Sequence, residues 1–118
     1  MFTERLNELS SRIDGALALS LVADDGMPVE SVSAADSDFD LEALAAELMS
    51  QVRAISLNNQ ELDVGQVRHI SVTTDRFTLM ISAVSRNYFL MLVLGAGANA
   101  GRARFELRRA KLLFERDL

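Results

Sequence analysis

Between Asn87 and Gly95 stand seven consecutive apolar or aromatic residues, Tyr88-Phe-Leu-Met-Leu-Val-Leu94, with no polar member. Alternate side chains of a strand point to opposite faces, so such a run must be covered on both sides. It is too short for a stable isolated helix and far too short to cross a bilayer, and Arg86-Asn87 and Gly95 are turn signals at its ends. The run predicts a central strand, and the rest of the chain must supply two layers that bury it. A chain of 118 residues has room for one domain, residues 1–118, with one core that buries roughly two-thirds of the unfolded surface.

The remaining elements follow from periodicity. Phe2, Leu6, Leu9 and Ile13 mark one apolar stripe on a first helix, which Thr3 is placed to cap. After Gly15, residues Ala16 to Ala23 are apolar on both parities except for Ser20, the pattern of a second inner strand. Asp25-Gly26 is a hairpin signal, and Pro28 to Ser33 reads as a short return strand whose proline suits a sheet edge. A polar, acidic loop, Ser33 to Asp40, ends where Asp38 or Asp40 caps the next helix. Val67 to Thr73, Phe77 to Val84 and the Tyr88 run form a meander, with turns at Asp75-Arg76 and Arg86-Asn87. Asn99 then caps a closing helix that buries Ala103, Leu107, Ala110 and Phe114.

The second helix, Leu41 to Asn59, carries two stripes. Leu41, Leu44, Leu48, Val52 and Ile55 make the face expected on the sheet. Opposite stand Ala43, Ala46, Ser50, Ala54 and Leu57, flanked only by Glu42, Glu47 and Arg53. Charges belong there if the helix covers a sheet in a lone monomer; small residues leave a flat surface for another helix. An alanine-rich surface chosen for helix propensity is the alternative.

The two strands without a polar face become inner neighbours, and each hairpin partner falls outside its own mate. The order is then 2-1-5-4-3, antiparallel, with helices on both faces. The third strand, Gln66 to Thr73, lies at an edge, has no proline and holds Val67, Ile70 and Val72, so it invites pairing with another chain. A homodimer joined through that edge and the small-residue helix face accounts for both features.

Reactive constellations are missing. The chain has no cysteine and one histidine, which removes disulfides, thiol catalysis and thiolate metal sites. No metal site and no cofactor are expected. Gly95-Ala-Gly97-Ala-Asn-Ala-Gly101 superficially suits a dinucleotide, but no further parallel strand with a ribose-binding acid follows it, nor a phosphate-loop lysine; a tight turn is expected. Asp24-Asp25 reads as turn-forming acids, and His69, beside Arg68, as a cross-strand or interface hydrogen bonder. Ser10, Ser20, Ser56 and Ser85 lack a nucleophile elbow. The chain is not expected to be an enzyme.

Charge discourages nucleic-acid and anionic-membrane partners, since the net value is −5. Its placement is uneven: Asp24, Asp25, Glu30, Asp36, Asp38, Asp40, Glu42 and Glu47 occur with no base among them, whereas half of the twelve basic residues lie between Arg102 and Arg116. Arg104, Arg108 and Lys111 recur at helical spacing. Two solvated faces, or a charged docking surface, are consistent with this. Met1 to Ile13 is polar and helical in pattern rather than a targeting peptide, so a cytoplasmic location is expected.

Gly15-Ala-Leu-Ala-Leu-Ser-Leu-Val-Ala-Asp-Asp-Gly26-Met-Pro28, the alanine-rich second helix, the meander and Gly95-Ala-Gly-Ala-Asn-Ala-Gly101-Arg102 resemble the Roadblock domain over nearly the whole chain. The resemblance implies a profilin-like, three-layer α+β fold with one helix on one face of the sheet and two on the other. It also implies a dimerising platform in which two second helices lie side by side and two third strands join. Ala43, Ala46, Ser50, Arg53, Ala54, Leu57, Val67, Arg68, His69, Ile70 and Val72 are then the candidate dimer or partner interface. The implied partner is a Ras-like small GTPase, whose GTP hydrolysis bacterial MglB-type members promote; Arg53 is the one basic residue on the platform helix and the contact to test. Two other functions stay open. One is a structural adaptor without effect on GTP turnover; the other is a small-molecule sensor, which needs a compartment of a few hundred cubic ångströms where the Leu, Met and Phe content predicts a filled interior.

Overall fold

The computed structural model describes residues 2–34, 39–116 and 118, leaving aside the side chains of Asn59 and Gln60. The elements are α1 (Phe2–Ser11), β1 (Ala16–Ala23), β2 (Pro28–Ser33), α2 (Leu41–Leu62), β3 (His69–Thr73), β4 (Phe77–Ala83), β5 (Tyr88–Gly95) and α3 (Ala100–Glu115). The strands form one sheet of order β2-β1-β5-β4-β3, with every pair antiparallel. α2 covers one face and α1 with α3 cover the other, which is the α+β architecture and strand order that the hydrophobic pattern implies.

β5 feeds both layers. Leu90, Leu92 and Leu94 join Leu19, Leu21 and Met80 beneath Leu6 and Leu9 of α1 and Ala103, Leu107, Ala110 and Phe114 of α3. Phe89 and Met91 face the other way, with Val22 and Ile81, beneath Ala45, Leu48, Met49 and Val52 of α2. Each such side chain taken out of water contributes about 1.5–3 kcal/mol, so the central strand anchors both layers. Ser20, the polar exception in β1, is buried on the α2 side but satisfied, its Oγ lying 2.8 Å from Ser31 Oγ on β2.

Four local expectations, at Thr3, the end of α2, Ile55 and the start of β3, are corrected, while the cap expected on α2 is present. Thr3 lies inside α1 rather than capping it, and its hydroxyl donates to Glu30 on β2 at 2.6 Å. Asp40 caps α2, its carboxylate accepting from the Ala43 amide at 3.0 Å, while Asp38 and Asp36 lie outside the described residues. α2 runs past Asn59 to Leu62 and stops where Asp63 takes a φ of 54°. At roughly 33 Å it outruns the sheet beneath it: Val52 is its last buried residue among those described, and Ile55, expected on the sheet, is exposed while Ala45 and Met49 are buried instead. β3 begins at His69 rather than Gln66, because the chain leaves α2 through two left-handed residues, Asp63 and Gly65 (φ 93°), and meets its neighbour only near the end of β4.

Candidate interaction surface

The α2 surface turned away from the sheet carries the stripe that stands out in the sequence, with Glu42, Glu47, Gln51 and Arg53 exposed around it. Ala43, Ala46, Ser50, Ala54 and Leu57 are all exposed, Leu57 to 65%. The β1–β2 turn abuts this helix: Gly26 sits so close that a Cβ there would lie 3.4 Å from Ala46 Cα. The turn is closed by Asp25, whose carboxylate accepts from the Met27 amide at 2.9 Å, the structural role expected of these acids. Arg53 is exposed but tethered, its Nη1 donating to the Asp24 carbonyl at 3.2 Å.

Among the described residues β3 pairs with β4 alone. Arg68 accepts from the Ala83 amide at 2.8 Å and the Thr74 amide donates to Phe77 at 2.8 Å, so the backbone groups of even-numbered residues face β4. Antiparallel alternation then turns those of His69, Ser71 and Thr73 toward the open edge. Side chains alternate in the other sense. Val67 and Ile70 pack half-buried into the α2 layer, and Val72, of Ile70's parity, is exposed. His69 belongs to the α3 face, where its Nδ1 lies 3.2 Å from Ser82 Oγ in the cross-strand hydrogen bond expected of it.

The residues proposed for one surface therefore divide. The α2 stripe with Val67, Ile70 and Val72 occupies one side of the sheet, while His69, with Arg68 at the strand's mouth, borders a recess on the other beside Arg104 and Arg108. Two further features are not legible as sites in the sequence. An open groove of about 710 Å³ runs beneath the overhanging half of α2, between Val52, Arg53 and Leu57 on the helix and Asp24, Arg86 and Phe89 at the sheet's end. Glu106, inside the buried stripe of α3, is 1% exposed. No group of three or more potential metal-ligating side chains occurs among the described residues, nor any helix long and apolar enough to cross a membrane.

No protein-family model and no curated protein sequence matches the chain. Solved structures do. MglC from Myxococcus xanthus is 30% identical with a TM-score of 0.72, over 99% of this chain and 98% of that one. The chain belongs to the Roadblock family. A Roadblock/LC7 domain from Streptomyces avermitilis superposes with a TM-score of 0.82 at 20% identity, over 93% of this chain and 91% of that one. An MglB described as having a tetrameric arrangement superposes with a TM-score of 0.87 at 22% identity, over 97% and 85%. As a Roadblock domain the chain keeps its two glycine turns in structural use. Gly15 (φ 85°) accepts from the Gly95 amide at 2.9 Å, and Gly97 (φ 81°) leads to Asn99, which caps α3 through the Arg102 amide at 3.0 Å.

Proposed function

We propose that this Roadblock domain is a non-catalytic homodimer, cytoplasmic in location, that binds a Ras-like small GTPase and modulates its nucleotide cycle. The observation that carries the proposal is the pairing of two unfinished surfaces: an exposed small-residue stripe on α2 and an open β3 edge. A second copy satisfies both, because small residues permit close helix approach and an unpaired edge is completed by another strand. Likeness to MglB supports the GTPase as partner. GTP chemistry then belongs to the partner's own phosphate site, and the dimer acts by positioning. Arg53, beside the stripe and at the rim of the groove, is the contact assigned to that partner.

Sedimentation of the purified chain should give twice the protomer mass, and recovery from its own cells should bring a small GTPase whose turnover changes when the chain is added. Arg53→Glu should weaken that capture and leave the dimer intact. A protomer that stays single at high concentration defeats the proposal, and a dimer that recovers no GTPase in any nucleotide state favours the adaptor. The open groove supports a second function, a ligand sensor, since its volume lies within the range of small-molecule pockets; heat stabilisation by a metabolite, abolished by Val52→Trp, distinguishes it.

A further inference from the structure

On the α3 side of the sheet, Arg68, His69 and Ser82 meet Arg104, Arg108 and Lys111 around a concavity of about 290 Å³. Four permanent cations ring one small volume in a chain whose net charge is −5. Their counter-charges are elsewhere. Glu106 is held by Arg102 and Arg109, at 3.0 and 3.7 Å, and among the described residues only Lys111 of the recess has a carboxylate near it, Glu115 at 3.7 Å. Arg68, Arg104 and Arg108 form no ion pair among the described residues. Like charges four apart on a helix repel, so Arg104 and Arg108 weaken α3 in a way that solubility alone does not require.

A second observation concerns His69. Its Nε2 is buried without a hydrogen-bond partner, while Nδ1 is engaged with Ser82. An orphaned buried polar atom costs stability unless something pairs with it. Burial first, and then the charges of Arg104 and Arg108, lower the pKa of the ring.

The lining identifies the ligand's chemistry. Apart from Ala83 every lining side chain is polar or charged, which excludes an apolar ligand. The volume sits near the lower limit for small-molecule pockets, about 300 Å³, and suits a compact anion better than a polymer. Guanidinium groups match tetrahedral oxyanions in a two-pronged manner. A neighbouring recess of about 210 Å³ shares Arg68 and Lys111 but adds Glu115 as well as Arg86, so the uncompensated positive charge is concentrated in the first recess. We propose that this recess binds a compact, multiply charged oxyanion of the phosphate class, held by Arg68, Arg104, Arg108 and Lys111 with His69 beside them. The recess is built within one protomer, so the inference does not depend on the dimer or on the GTPase.

Calorimetric titration of the full chain with pyrophosphate at about 0.1 M salt, where distant surface charges are screened, should show saturable binding of one ligand per chain. Arg104→Ala with Arg108→Ala should weaken it about tenfold or more, the loss of at least one charge-assisted hydrogen bond; Arg68→Gln should do the same from the sheet side, with circular dichroism unchanged in both. In the native chain the His69 ring resonances should move on addition. As pH falls below 6.5, binding by the native chain should strengthen relative to binding by His69→Gln, because the proton gained by His69 among Arg68, Arg104, Arg108 and Lys111 is stabilised by the anion, whereas the proton that pyrophosphate itself takes up affects both chains alike. Recruitment to phosphoinositide vesicles, reversed by pyrophosphate, assigns the phosphate to a lipid headgroup; binding without recruitment assigns it to a free phosphate compound. No binding, binding untouched by the arginine substitutions, or a glutamate-rich peptide or single-stranded oligonucleotide that pyrophosphate cannot displace overturns the proposal.

Discussion

Glu106 is the residue whose setting departs furthest from its chemistry. Its carboxylate is buried between Arg102 and Arg109, close enough for ion pairing, yet neither oxygen accepts a well-aimed hydrogen bond among the described residues. Buried charges in that condition recover little of their desolvation cost, and an apolar side chain of similar size often serves as well or better. Glu106→Met is therefore expected to leave the thermal midpoint unchanged or raised, whereas Arg102→Met with Arg109→Met, which strands the carboxylate, should cost on the order of 1–3 kcal/mol in urea unfolding. His69 makes the complementary case. Its folded-state pKa lies below 6.5, first through burial and then through Arg104 and Arg108. The unfolded chain thus takes up the proton at the higher pH, so the stability held by the neutral ring is complete above 6.5 and drains as pH falls from there through the folded value. Urea midpoints at about pH 7.5 and about pH 5.5 should differ more for the native chain than for His69→Gln.

At the scale of elements, the joints between helices and sheet are the vulnerable points. Gly15 has a φ of 85°, and a Cβ there would lie 2.7 Å from the Cβ of Ala98, where the α1–β1 joint meets the turn into α3. Gly15→Ala therefore meets both a backbone conformation disfavoured for L-residues and a collision that neither chain segment can relieve by rotating a side chain; a loss of about 1–3 kcal/mol is expected. Gly65, with φ 93° and open space around it, isolates the backbone share, and Gly65→Ala should cost about 1–2 kcal/mol. The β3 edge gives a cleaner separation. The amide of Ser71 faces outward, so Ser71→Pro removes no bond to β4 while blocking any strand added outside. Sedimentation should report single protomers with the far-ultraviolet spectrum retained.

Taken whole, the molecule has two dissimilar sides. The α2 side presents small and apolar groups, and Ala54→Glu, placing a charge on that stripe, should split the proposed dimer without lowering the protomer's own melting temperature, because Ala54 touches neither core. The α3 side concentrates cations that the acidic remainder does not neutralise. The two proposals, a second copy and a compact oxyanion, thus place their partners on opposite faces of the sheet.

Tyr88–Leu94 was legible as the central strand because a run without polar residues has only one arrangement in water, covered on both faces. The same logic set the strand order, since Ala16–Ala23 is the other run of that kind. Asn99 as a cap and Ala103, Leu107, Ala110 and Phe114 as a buried stripe followed from local periodicity. Periodicity specifies which residues share a face; it does not say how far the neighbouring element extends. For that reason the overhang of α2, which exposes Ile55 and opens the groove, was decided only by tertiary packing. Distance in sequence hid the rest: Arg68 and His69 stand more than thirty residues before Arg104 and Arg108, and it is the placement of α3 over the β3–β4 edge that turns two scattered basic segments into one recess.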